Sequence, residues 1–165
     1  MRIELKSLKI YEAMSEETIA FTADVFIEGK KVAYAKNDGH GGSTYYHSYP
    51  NANRDILAAA EKYCEGLPKD KHGFSQSLES VIDEWVYRVY NEKENAKHQK
   101  KLEKNCLKGI CFGTPDSYQI FSWTGWELKD LLTTLYGRSI IKEKIKQLKS
   151  EGQQILNTNI PADLL

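Results

Sequence analysis

The segment "AKNDGHGGSTYYHSY", residues 35–49, gathers three glycines, two histidines and three tyrosines into fifteen positions. Glycines let successive backbone amides turn toward one point and cradle an anion, while histidine and tyrosine add hydrogen-bond donors and stackable rings. On that chemistry Asn37, Asp38, Gly39, His40, Gly41, Gly42, Ser43, Thr44, Tyr45, Tyr46 and His47 form one candidate ligand- or partner-binding element, suited to a phosphate, a nucleotide or a partner surface. Asp38, His40 and His47 are also types that hold zinc or manganese, so a small metal-dependent hydrolase is the alternative, provided the three converge around an open position for water. The plainest reading is a wide turn between two strands, because Asn-Asp-Gly tolerates positive φ. The glycines run G-x-G-G. No Gly-Lys-Ser/Thr follows, as a nucleoside-triphosphate loop requires, and no helix opens immediately, as a dinucleotide fingerprint requires.

Elsewhere the chemistry-bearing types read as packing. Cys64 falls on the apolar stripe of a helix, Cys111 alternates with Ile110 and Phe112, and with Cys106 they lie outside paired zinc spacings; all three are expected to be free thiols. His72 and His98 have no partner at a ligand interval. Trp85, Trp123 and Trp126 fit core or edge packing, with the last two, flanking Thr124-Gly125, a second choice as partner anchors. The chain calls for no cofactor, and no complete catalytic signature marks it as an enzyme.

The elements that must position the glycine segment are legible from periodicity. "IELKSLKI", "AFTADVFI" and "KVAYAKN" alternate apolar and polar residues and are joined by short connections, which predicts an antiparallel meander, with "STYYHS" as a fourth strand. An asparagine early in "YPNANRDILAAAEKYCEG" can cap a helix that Gly66 ends, and "LPKDKHGF" follows as a loop. Ser77 can cap a second helix whose Leu78, Val81, Ile82, Trp85, Val86, Val89 and Tyr90 make one stripe, expected to bury with Phe21, Val25 and Ile27. From Asn91 to Asn105 the stripe stops, and five lysines and three glutamates predict a helix projecting into solvent. "CLKGICFG" and "YQIFSW" around "TPDS" read as a second hairpin. Thr124 and Glu127 have capping-box spacing for "GWELKDLLTTLYG", "RSIIKEKIKQLKSEG" reads as a further helix, "QQILNTN" as a last strand, and Pro161 as the end of regular structure. Strands, helices, a hairpin, helices and a strand argue an α+β fold, an antiparallel sheet covered by amphipathic helices.

With 165 residues the expectation is a single domain, 1–165. Lys+Arg and Asp+Glu both number 23, so nucleic acid would be reached only through a local patch, and no apolar run approaches the roughly 18 residues of a membrane span. The amino-terminal segment alternates charged with apolar residues and reads as no export signal, which predicts a cytoplasmic protein.

The strand, GKK turn, strand and N-D-G-x-G-G loop of residues 20–49 resemble a family of small, largely uncharacterised proteins of bacteriophages, prophages and other mobile elements, and the "ILNTN" end shares in the likeness. The resemblance implies a setting and no catalytic residues. Small accessory proteins in that setting act by binding host components, so the expectation is a non-enzymatic inhibitor in the host cytoplasm that binds a host defence protein such as a CRISPR nuclease, or a nucleotide immune signal, stoichiometrically.

Overall fold

The structure is a computed structural model and describes residues 1–70 and 72–165; Lys71, within the loop expected at 67–74, lies outside the described residues. The fold is α+β. Among the described residues a four-stranded antiparallel sheet of order β1-β2-β3-β4 and a separate two-stranded sheet, β5-β6, are accompanied by four α-helices. The chain divides into two compact units, Met1–Glu92 and Lys93–Leu165.

In the first unit β1 (Ile3–Ile10), β2 (Phe21–Ile27), β3 (Lys30–Asn37) and β4 (Tyr45–Ser48) form the meander. Period-two patterning sends Phe21, Ala23, Val25 and Ile27 inward from β2, each at most 2% exposed. β1 does not alternate cleanly: its apolar residues are Ile3, Leu5, Leu8 and Ile10. A bulge between Lys6 and Lys9, with Ser7 at φ +53°, shifts the parity by one so that Leu8 and Ile10 still pack against the core.

The inner face is covered by α1 (Arg54–Glu65) and the start of α2 (Leu78–Lys108). Asn53 caps α1 by accepting from the Asp55 amide, and Gly66 follows its end. Ser77 and Ser80 cap α2 reciprocally, each hydroxyl accepting from the other's amide, at 2.8 and 3.1 Å. Ala60 and Cys64 of α1 and Leu78, Ile82 and Val86 of α2 share one buried cluster with the β2 face and with Ala33 and Ala35 of β3. Trp85 was expected inside this core and lies only partly buried at its border, with the Arg88 guanidinium 4.9 Å from its ring centroid. The reason is angular: Leu78, Ile82 and Val86 hold the centre of the stripe, and Trp85 falls on its flank.

In the second unit the charged stretch of α2 ends earlier than Asn105, because Leu102 and Cys106 are buried with Cys111, and Cys106–Lys108 belong to the helix and not to the following strand. β5 (Ile110–Thr114) and β6 (Ser117–Phe121) form the expected hairpin. The capping box expected at Thr124 does not form. Thr124 and Gly125 make a turn between Trp123 and Trp126, and Glu127 is itself the residue before the short helix α3 (Leu128–Leu131), with no side-chain cap. Thr134 restarts the helix by accepting from the Gly137 amide, opening α4 (Leu135–Ser150). Gly137 is needed within that first turn because a Cβ there would stand 2.1 Å from the Leu131 carbonyl oxygen. The last expected strand reduces to one bridge, Ile155 to Phe112, and regular structure resumes after Pro161 as a 3-10 turn, Ala162–Leu164, that buries Leu164.

Candidate functional site

Asn37, the last residue of β3, organises the glycine loop. The residue is 7% exposed, and its side chain makes four hydrogen bonds. Oδ1 accepts from Thr18 Oγ1 and from the Gly39 amide, both at 2.8 Å; Nδ2 donates to the Gly42 carbonyl at 3.0 Å and to Thr44 Oγ1 at 3.1 Å. The amide thus fills its full capacity and folds residues 37–44 back on themselves. Thr44, 4% exposed, passes the network into α2: its hydroxyl donates to Asp83 Oδ1 at 2.5 Å and its amide to Glu79 Oε1 at 2.9 Å. Burial raises the Asp83 carboxyl above its ordinary range, and nearby Glu79 adds to the rise against the lowering effect of the Thr44 hydrogen bond.

Gly39 is the second fixed point. Its carbonyl accepts from the amides of Glu16, Glu17 and Thr18, its φ is +89°, and a Cβ would lie 2.1 Å from the Met14 carbonyl oxygen. The loop is therefore tied to the segment between β1 and β2 as well as to α2. These ties also change its chemistry. The amides of Gly39 and Gly41, which an anion cradle would need, are directed at Asn37 Oδ1 and Thr18 Oγ1. Carboxylates stand beside them: Glu16 Oε2 is 3.2 Å from His40 Nδ1, and Glu17 packs against Gly41. A phosphate entering here would meet negative charge and engaged donors.

The three potential metal ligands do not converge. Asp38 faces Lys36 at 3.4 Å, His40 faces Glu16, and His47 sits opposite Tyr34 in the sheet. Among the described residues no group of three or more His, Cys, Asp or Glu side chains is placed to hold a metal ion. The cysteines are free and buried; burial pushes up the thiols of Cys64 and Cys106, and that of Cys111 to about 12, against reactive thiolate chemistry.

Gly41, Gly42 and Ser43 are exposed along the loop's outer side. Beyond it, β4 alternates as a strand must. Tyr45 and His47 face outward, Tyr45 being 55% exposed, while Tyr46 turns inward and donates to Glu61 Oε1 at 3.0 Å. Burial, with Glu61 next, pushes the Tyr46 phenol up to about 12, so it stays a neutral structural donor. Within the candidate element, Asn37, Gly39, Thr44 and Tyr46 support, and His40, Tyr45 and His47 are presented.

Register places Tyr45 and His47 in a larger array on the sheet face away from the unit's core. One row across the strands reads Lys9, Thr22, Lys36, Tyr45; the next reads Lys6, Asp24, Tyr34, His47; a third reads Glu4, Phe26, Lys31. Lys6 Nζ lies 4.3 Å from the Phe26 ring centroid and Lys31 Nζ 4.7 Å from that of Tyr49. Asp24 is held by Lys31 at 2.9 Å and by the Tyr49 hydroxyl at 2.5 Å. Burial pushes its carboxyl up, but the hydrogen bonds from Tyr49, Lys31 and Ser7 outweigh that and leave it lowered.

Sequence reasoning missed the acidic and hydroxyl residues that carry the loop: Thr18, Glu79, Asp83 and, under Tyr46, Glu61. A signal existed for two of them. Glu79 and Asp83 are four apart and each directly follows a buried stripe residue, Leu78 or Ile82, so they flank the buried stripe. A hollow of about 320 Å³ lined by Ile27, Lys30, Asp55 and Ile56 lies beside the β2–β3 turn, at the end of β3 opposite the loop. No family model, curated protein or solved structure matches the chain.

Proposed function

We propose that the protein acts without turnover, as an inhibitor in the host cytoplasm that binds a host immune component stoichiometrically, with the loop and β4 as its recognition element. The observation that carries this reading is the division of labour around Asn37. A network of buried and half-buried hydrogen bonds fixes the backbone, and its output is a pair of outward side chains, Tyr45 and His47, on β4, with His40 exposed on the loop. Rigid presentation lowers the ordering cost of association, and a tyrosine supplies contact area with few rotors. The phage-type setting comes from the resemblance of the N-D-G-x-G-G segment. Of the two partner classes it implies, a protein effector fits better than a nucleotide signal, because the Gly39 and Gly41 amides are engaged and Glu16 and Glu17 stand beside them.

The experiment is a titration of a purified defence effector. Inhibition should rise linearly with added protein and saturate at a fixed ratio, and a Tyr45→Ala, His47→Ala pair should abolish it while Tyr45→Phe retains it. Product formation by trace protein in excess substrate, stopped by a chelator, would establish the hydrolase alternative instead.

A further inference from the structure

We propose that the open face of the four-stranded sheet is a binding platform for single-stranded nucleic acid. This goes beyond the inhibitor reading and does not require it. The face offers the two things a single strand needs. Aromatic rings lie at intervals across it, Phe26 on β2, Tyr34 on β3 and Tyr45 on β4, with Tyr11 at its border, where its hydroxyl lies 3.3 Å from Thr22 Oγ1. Cations stand between them, Lys6 and Lys9 from β1 and Lys31 and Lys36 from β3, and the His47 ring lies in the same row as Lys6 and Tyr34. Tyr34 and Tyr45 are diagonal neighbours on adjacent strands, which puts their attachment points about 7 Å apart, within reach of successive bases of an extended chain. Bases stack on aromatic faces irrespective of sequence, and lysines beside them neutralise phosphates.

Charge decides for an anionic occupant. The two carboxylates on the face are already matched, Glu4 by Arg2 at 2.7 Å and Asp24 by Lys31. Lys36 is matched by Asp38 at the rim, at the long distance of 3.4 Å. Lys6 and Lys9 form no ion pair with a described residue, and the Lys6 ammonium stands over the Phe26 ring. The face thus keeps a positive excess although the whole chain is neutral. A duplex does not fit the same design. Its bases are stacked within the helix, leaving Tyr34 and Tyr45 without faces to meet.

The test is fluorescence anisotropy of labelled single strands of about 12 nucleotides, oligo-U RNA and oligo-dT DNA, with a duplex of equal length and polyglutamate as competitor. Saturable binding of the single strands is expected, weakening with salt by a slope of about −0.7 per neutralised phosphate, so that Lys6→Gln with Lys9→Gln flattens the slope by about 1.4. Tyr34→Ala or Tyr45→Ala should each weaken binding about tenfold or more, and Tyr34→Phe or Tyr45→Phe should restore it, which separates stacking from loss of fold. No saturable binding at low salt, equal binding of the duplex, equal competition by polyglutamate, or indifference to the tyrosines would each overturn the proposal. Tyr34, Lys6 and Lys9 lie outside the loop and β4. Their variants should therefore still titrate a defence effector, and a protein that binds no oligonucleotide yet titrates its effector refutes the platform alone.

Discussion

Replacing Asn37 by Ala tests whether the glycine loop is held by one side chain. The substitution deletes four hydrogen bonds at once. At about 0.5–1.5 kcal/mol net for each, the sum is about 2–6 kcal/mol. Not every group is equally stranded. The Gly42 carbonyl sits at an exposed residue and can turn to water, and Thr44 Oγ1 keeps its bond to Asp83. The buried Gly39 amide has no such recourse, because three amides from residues 16–18 close on the carbonyl of the same residue. The expected loss is therefore in the lower half of the range, about 2–4 kcal/mol. Asn37→Asp should be at least as costly. It keeps an acceptor for Thr18 and the Gly39 amide but turns a second carboxylate oxygen toward the Gly42 carbonyl and Thr44, next to Asp83. Urea unfolding monitored by amide exchange of β2 and β3 isolates the unit concerned, and exchange at Gly39 reports the loop itself. A loss below about 1 kcal/mol with the Gly39 amide still protected would refute the reasoning, since another group would then be holding the loop.

Two further outcomes follow from burial. Ile82→Ala should cost about 2–5 kcal/mol, because its side chain is wholly enclosed between α2 and the sheet, while Trp85→Ala at the border should cost less than Ile82→Ala despite removing the larger group; the reverse order in chemical denaturation would place Trp85 at the centre. Asp83→Asn keeps an acceptor for the Thr44 hydroxyl and removes a carboxyl whose folded pKa is raised, chiefly by burial. A raised folded pKa contributes stability that is complete below the unfolded carboxyl value, about 4, and is lost as pH rises through the folded one. The variant should gain on the wild type at neutral pH, and the gain should vanish as pH falls below that unfolded value. Asp24, whose folded pKa is lowered, loses its contribution as pH falls in both proteins and cancels in the difference. A gain that grows toward acid would reverse the assignment.

What was legible in the sequence is what repeats. Strand β2 alternates over its whole length and α2 repeats its apolar residues at helical spacing, so their inner faces could be read directly. Where one residue decides, periodicity is silent. Ser7 shifts the parity of β1 by one position, and only the pairing of Leu8 and Ile10 with the core reveals it. Thr134 and Gly137 split what reads as one helix from Gly125 to Gly137: a threonine competes for the backbone as a cap, and a missing Cβ admits the Leu131 carbonyl.

The candidate site shows the same limit in chemical terms. Composition marked residues 37–47 as reactive types, but it could not tell which of their groups are consumed internally. Asn37 and Thr44 are polar residues that the fold buries and satisfies completely, and the Gly39 and Gly41 amides follow them, so groups most suggestive of anion binding are among the least available for it. The side chains left over, Tyr45 and His47, acquire their meaning from strands that are distant in sequence. Only register sets them beside Tyr34, Lys36 and Lys6, and a register is a property of four strands together, decided by the bulge at Ser7 as much as by anything in the loop. Were β1 to lack that bulge, Lys9 would leave the row of Thr22, Lys36 and Tyr45 for the core face, and Leu8 would take its place in solvent. The same irregularity that keeps the apolar face closed thus assembles the basic and aromatic one.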